Sequence, residues 1–273
     1  MSLRRGRVLA FVLLVPCLLA AARRARAQEG VDGVATGLGN RFQETQTALT
    51  NDRGVFEAVF MHRFLEEARQ AGGGGLWGLG GGSAVWLGMD YVFLKNLAVQ
   101  VGWQNIDYDY EFALKWTILR PTASLPVAVG LRAGLDWTTA YYAEKMSTAF
   151  GQLLVNATIA DRVTVGVAPS YVQRTTYATN IWNFPVQMQV RITDSFWALG
   201  EFIPKKDYLP EEVYQWSFGL EKALYHHRFQ LWIGNALPTA VNQLIPGGLN
   251  GGATSKNIHI GFNIARSWDL VKK

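Results

Sequence analysis

The residues of this 273-residue chain that could do chemistry are scattered, and their spacing removes most of the chemistry they suggest. His226 and His227 are adjacent, and neighbours on a strand point to opposite faces, so they could share a metal only in a turn. His62 and His259 lie near the two ends of the chain, with no further cluster of His, Asp or Glu at metal-ligand spacing. A serine hydrolase needs a Ser–His pair with an orienting polar group. Ser217 and His259 both fall on the polar faces of their segments, and no nucleophile elbow is present. The glycine-rich run Gly72–Gly82 lacks the Lys-Ser/Thr of a phosphate loop and reads as a flexible loop. The reading is therefore of a non-enzyme without cofactor or metal. What remains is a dispersed polar set: Glu111, Lys115, Arg132, Asp136, Arg174, Gln189, Arg191 and Glu221. Such residues could line an aqueous path and tune its selectivity. They could equally lock together as ion pairs.

The elements that would position these residues are strands. From Tyr110 to Ile118, Tyr110, Phe112, Leu114, Trp116 and Ile118 share one face, while Glu111, Ala113, Lys115 and Thr117 share the other, as a side-chain period of two dictates. Twelve segments repeat this pattern, at about 54–64, 83–93, 96–105, 110–118, 126–137, 148–159, 163–174, 181–192, 196–203, 214–222, 227–234 and 256–266. The segment at 196–203 is the least clear, because both its faces are apolar apart from Glu201. A short helix is expected near Glu66–Gln70.

Composition points to where the apolar faces go. Arg4, Arg5 and Arg7, the apolar run Val8–Ala22 and the Ala25-Arg26-Ala27 site read as a signal peptide over residues 1–27. Removing it takes six arginines and no acid, leaving 20 basic against 21 acidic side chains and a net charge of −1 in place of +5. The basic balance thus belongs to the leader and gives no argument for nucleic acid. The single cysteine, Cys17, leaves too, which removes thiol chemistry and disulfides from the mature chain. No later apolar run reaches the length of a transmembrane helix. Yet aromatics are 12% and charged residues only 17%, as expected where much surface meets lipid.

Loop lengths separate two architectures. Connections after even-numbered segments are short, whereas those after the first, fifth, ninth and eleventh (Leu65–Gly82, Thr138–Met146, Pro204–Val213 and Asn235–Ser255) are long. That asymmetry suits an outer-membrane barrel with short periplasmic turns. A soluble sandwich or barrel would carry charge outside and grease inside; here the charges sit among small residues, opposite Val, Leu, Phe and Trp. The expectation is a single antiparallel up-and-down transmembrane β-barrel of about 12 strands over 54–268. A flexible arm over 28–53 precedes it, and a short tail over 269–273 follows. Its partners would be outer-membrane lipid and a small polar solute.

The residues Glu57, His62-Arg63-Phe64, Gly80-Gly81-Gly82-Ser83, Val85–Tyr91 and Asn257–Arg266 resemble a bacterial membrane-bound β-barrel domain family without an assigned function. The resemblance spans residues 54–268 and implies a membrane barrel and no known activity. Three functions then stand side by side. One is a narrow pore for small polar solutes, with Glu111, Lys115, Arg132 and Arg191 setting selectivity. Another is a non-conducting structural or partner-anchoring barrel working through its loops or its arm. The third is a lipid-modifying enzyme.

Overall fold

In a computed structural model, residues 39–140, 145–174, 179–204, 213–246 and 256–271 are described. They form one antiparallel sheet that closes on itself. The strands are β1 (Val55–Phe64), β2 (Ser83–Leu94), β3 (Leu97–Gln104), β4 (Asp109–Leu119), β5 (Val127–Thr138) and β6 (Met146–Ile159). They continue with β7 (Val163–Val167 and Ser170–Arg174), β8 (Thr179–Asn183 and Val186–Thr193), β9 (Phe196–Ile203), β10 (Gln215–Leu224), β11 (His227–Gly234) and β12 (His259–Asp269). Each strand pairs with its sequence neighbours, and β1 pairs with β12 from Val55↔Asp269 to Arg63↔Gly261 to close the barrel. The twelve expected strands are present, and β12 runs one residue into the expected tail.

Two strands differ from the continuous segments expected. Pro169 interrupts β7 and Pro185 interrupts β8, because proline has no N–H to give to the ladder. The breaks lie opposite each other, and the register is unchanged across them: Val167 pairs with Val186 and Ser170 with Asn183. Ala168 N–H reaches Pro185 O and Leu153 N–H reaches Pro169 O, each at 2.9 Å, which carries the sheet across the gap.

The two faces of the wall are opposite in character. On β4 the outward Phe112, Leu114 and Trp116 are 46–52% exposed, while the inward Glu111, Lys115 and Thr117 are at most 3% exposed. A soluble fold has no reason to show water its tryptophans and hide its lysine; a barrel in lipid does. The expected short helix near Glu66–Gln70 is present as α1 (Ala68–Ala71). A second, α2 (Val241–Leu244), follows β11 and has all four side chains buried. No periodicity in the sequence announced it.

The region expected as a flexible arm, 28–53, is folded where it is described. Asn40 and Phe42–Thr50 are buried inside the barrel. Residues 1–38, which include the expected signal peptide, lie outside the described residues.

Candidate functional site

The lumen is the site, and two segments of the chain itself occupy it. Residues 40–47 form a hairpin: Arg41 bridges Gln46, Thr47 N–H reaches Asn40 O at 3.1 Å and Phe42 N–H reaches Thr45 O at 3.0 Å. Both ends of the hairpin face the short-turn end of the barrel. Gly39 lies against the Arg228 guanidinium beside the β10–β11 turn, and Gly54 N–H bonds Val92 O at the end of β2. Gly54 takes a left-handed backbone (φ +86°) to turn the chain into β1, and a Cβ there would strike Val271.

The hairpin tip wraps one carboxylate. Glu201 on β9 accepts N–H bonds from Gln43, Glu44 (2.9 Å) and Thr45 (3.1 Å), and the Thr45 hydroxyl at 2.8 Å. Consecutive backbone amides turned toward one anion form a nest, which holds negative charge well. Arg63 on β1 donates to Glu44 at 2.8 Å and to Asn263 at 2.6 Å. Lys115 on β4 donates to the hairpin, reaching Asn40 O at 2.8 Å, Asn40 Oδ1, and Gln46 Oε1 at 3.1 Å. The returning limb is held by Ala48 N–H to Asn156 (2.6 Å) and Thr50 N–H to Thr117 (2.8 Å).

Tryptophans floor the lumen under two arginines. The Trp86 ring lies flat over Gly88 and Gly102, so close that a Cβ on either glycine would overlap it, and the Arg41 guanidinium sits 4.2 Å above the ring. The Trp232 ring lies over Gly261 in the same way, beneath Arg63 at 4.6 Å, while the Gly219 position is crowded by the Gln43 side chain. Each arginine gains the ring's negative face.

From the long-loop end a cap enters, residues 235–246 with α2. Gln104 accepts N–H bonds from Thr239 and Ala240, both 3.1 Å; Asp136 accepts Asn242 N–H at 2.8 Å; and Asp109 accepts Gln243 at 2.7 Å. Val241 and Ile245 pack on Ala113, Phe150, Val172 and Ile181. Hairpin and cap meet near Arg41, Glu44 and Leu244, around a residual cavity of about 10 Å³, room for roughly one water.

Of the eight residues singled out from the sequence, six lie inside. Arg132 is the hub: it pairs with Glu111 and donates to Gln100 (2.6 Å) and Gln152 (2.8 Å). Lys115 and Asp136 are held as above. Glu221 pairs with Arg228 and accepts from Gln230 at 2.6 Å. Gln189 is buried on the lumen side of β8. The other two sit at the rims. Arg174 is exposed at the end of β7, and Arg191 pairs with Asp194 beside the β8–β9 turn, so the selectivity role expected for Arg191 has no place in the interior. They keep the inward parity of their strands, but each lies where its strand leaves the filled region. Missed entirely were the hairpin partners of the wall, Asn40 to Thr50, and the cap. Their one readable signal is composition, an amide- and hydroxyl-rich stretch suited to a polar interior.

The candidate catalytic and metal groups separate. His62 points outward, stacked on Phe262 at 5.0 Å, while His259 points inward onto Phe64 O, so the wall lies between them. Ser217 is inward, bonded to Gln43. His227 stacks on Phe229. Among the described residues no group of three or more metal-ligating side chains converges.

At the long-loop end Glu67 caps α1. Burial pushes its carboxyl up, but bonds from Arg69 (2.8 Å) and from the N–H groups of Ile258 (3.0 Å) and Gln70 (2.8 Å), with the Arg69 charge, outweigh that and hold it at about 2. It thereby ties the β1–β2 loop to the start of β12.

A family described as a membrane bound beta barrel domain matches residues 38–268, and the chain belongs to it. No curated protein matches by sequence. Solved structures with a similar fold include outer membrane phospholipase A from Escherichia coli, at 12% identity and TM-score 0.45, covering 89% of this chain and 100% of that one. Another is Omp33 of Acinetobacter baumannii, at 11% identity and TM-score 0.43, covering 85% and 100%. OprD of Pseudomonas aeruginosa follows at 12% identity and TM-score 0.36, covering 80% and 67%.

Proposed function

We propose that the protein is a gated outer-membrane pore for small polar solutes, held closed by its own N-terminal hairpin. One observation carries this reading: apart from one apolar contact of Phe42, Ala48 and Leu49 with Ala128, Leu154, Ala168 and Leu199, the hairpin meets the wall through polar and charged groups. A permanent filling favours apolar contacts, since buried ion pairs are often no better than a hydrophobic replacement. Here Glu201 and Lys115 direct hydrogen bonds at the hairpin, and water would serve both if it withdrew. The hairpin is also poorly satisfied. Arg41 Nε and Nη2, Gln43 Nε2, Glu44 Oε1 and Gln46 Nε2 are buried with no hydrogen-bond partner among the described residues, each at a cost of about 1–3 kcal/mol that solvation would relieve. The family match begins at residue 38, so the hairpin is part of the shared domain.

The same reading assigns no catalysis. Incubating the folded protein with detergent-dispersed phospholipid should release no fatty acid; turnover would revive the lipid-modifying alternative. The pore is tested in planar bilayers. Wild-type protein should stay closed at low voltage and open in steps under mild denaturant, whereas persistent silence with an intact barrel on an unboiled gel would sink it. A second reading, a partner-anchoring barrel, draws on one observation: Leu76, Trp77 and Leu79 of the β1–β2 loop are 44–59% exposed.

A further inference from the structure

The wall behind the hairpin carries more acid than base. Asp109, Glu111 and Asp136 on β4 and β5 lie beside Lys115 and Arg132, which are cross-strand partners on the same two strands. Glu201 on β9 and Arg63 on β1 both reach the hairpin tip. Glu57, Asp90 and Glu221 line β1, β2 and β10, with Arg228 paired to Glu221. Among the described residues the interior wall thus holds seven carboxylates against four cations. The hairpin brings Arg41 and Glu44, one of each sign, so its withdrawal leaves the imbalance of three negative charges unchanged. Two of these carboxylates already have an idle oxygen aimed into the lumen: Asp90 Oδ1 and Asp136 Oδ1 are buried with no hydrogen-bond partner among the described residues. Asp90 lies toward the short-turn end of β2 and Asp136 toward the long-loop end of β5.

We propose that the open lumen selects cations, so that the solute class is small and positively charged, inorganic or organic. This rests on the gated-pore reading and gives it a substrate sign. The physical basis is the field inside a narrow, low-dielectric wall, where uncompensated carboxylates raise the local cation concentration and exclude anions. Arg174 and Arg191 at the rims do not reverse this, because the narrow filled region lies between them and Arg191 is already paired with Asp194.

The test opens the full chain without touching the wall. In the double variant Thr45→Pro, Ala48→Pro the hairpin loses the Thr45 N–H and hydroxyl bonds to Glu201 and the Ala48 N–H bond to Asn156. Folding is checked by gel mobility before and after boiling. In a bilayer with a KCl gradient, the zero-current potential should show potassium favoured over chloride by roughly threefold or more, as acidic rings do. Adding Asp90→Asn and Asp136→Asn should move that ratio toward one. Conductance that is unselective or favours chloride overturns the cation assignment and leaves the gated pore standing. A folded double variant without conductance, together with a wild type silent under denaturant, overturns both.

Discussion

At the scale of single residues, Glu201 is the closest thing to a latch. Its carboxylate serves donors from three consecutive hairpin residues. Glu201→Gln keeps the shape but turns one acceptor into a donor facing backbone N–H groups. The expected loss is about 1–3 kcal/mol of hairpin docking, read as faster proteolysis of residues 39–53 in the folded barrel and as more frequent openings. Trp86 answers a different question. Its ring fills the space left by two glycines on neighbouring strands, and Trp86→Ala should cost about 3–5 kcal/mol in barrel stability, measured as a lower urea midpoint in micelles. The wall residues were legible beforehand because alternation fixes which way each points. Glu111, Lys115, Arg132 and Asp136 all followed from parity alone. What each would touch was not legible. The partner of Glu201 lies 158 residues away along the chain, and pairing at that range leaves no mark in local pattern.

At the scale of elements, the strands were readable and the fillers were not. A strand of a membrane barrel declares itself through a period of two with an apolar outer face. Asn40–Thr50 has no period, since its side chains meet the wall in every direction, and an aperiodic polar stretch reads as a free arm. The four-residue α2 is too short to show a helical repeat. The β1–β2 loop yields a pH prediction. With its carboxyl held at about 2, below the usual range near 4.3 for glutamate, Glu67 contributes stability that is present above the unfolded value and lost as pH falls through the folded one. Protection of the Ala68 and Ile258 amides, taken relative to their intrinsic exchange rate at each pH, should therefore hold down to about pH 4.5 and fall toward pH 2. Glu67→Gln should remove that dependence.

At the scale of the whole molecule, wall and filling are two bodies joined through different chemistry. The wall is a closed ladder of backbone bonds, while the hairpin is held largely by side chains. Denaturation should then proceed in two steps. Near-ultraviolet circular dichroism from Trp86 under Arg41 should fade at lower denaturant than the far-ultraviolet strand signal; coincident curves would mean that filling and wall unfold as one.

Because the hairpin enters and leaves by the same mouth, it is a cork with both strings hanging on one side. The strand ladder can close first and receive the cork afterwards, because residues 39–54 enter and leave on the same side. Hairpin residues precede β1 in the chain, so they emerge before any wall exists to hold them. Assembly order and seating order need not agree, and an empty barrel is a natural intermediate on the way to the sealed one.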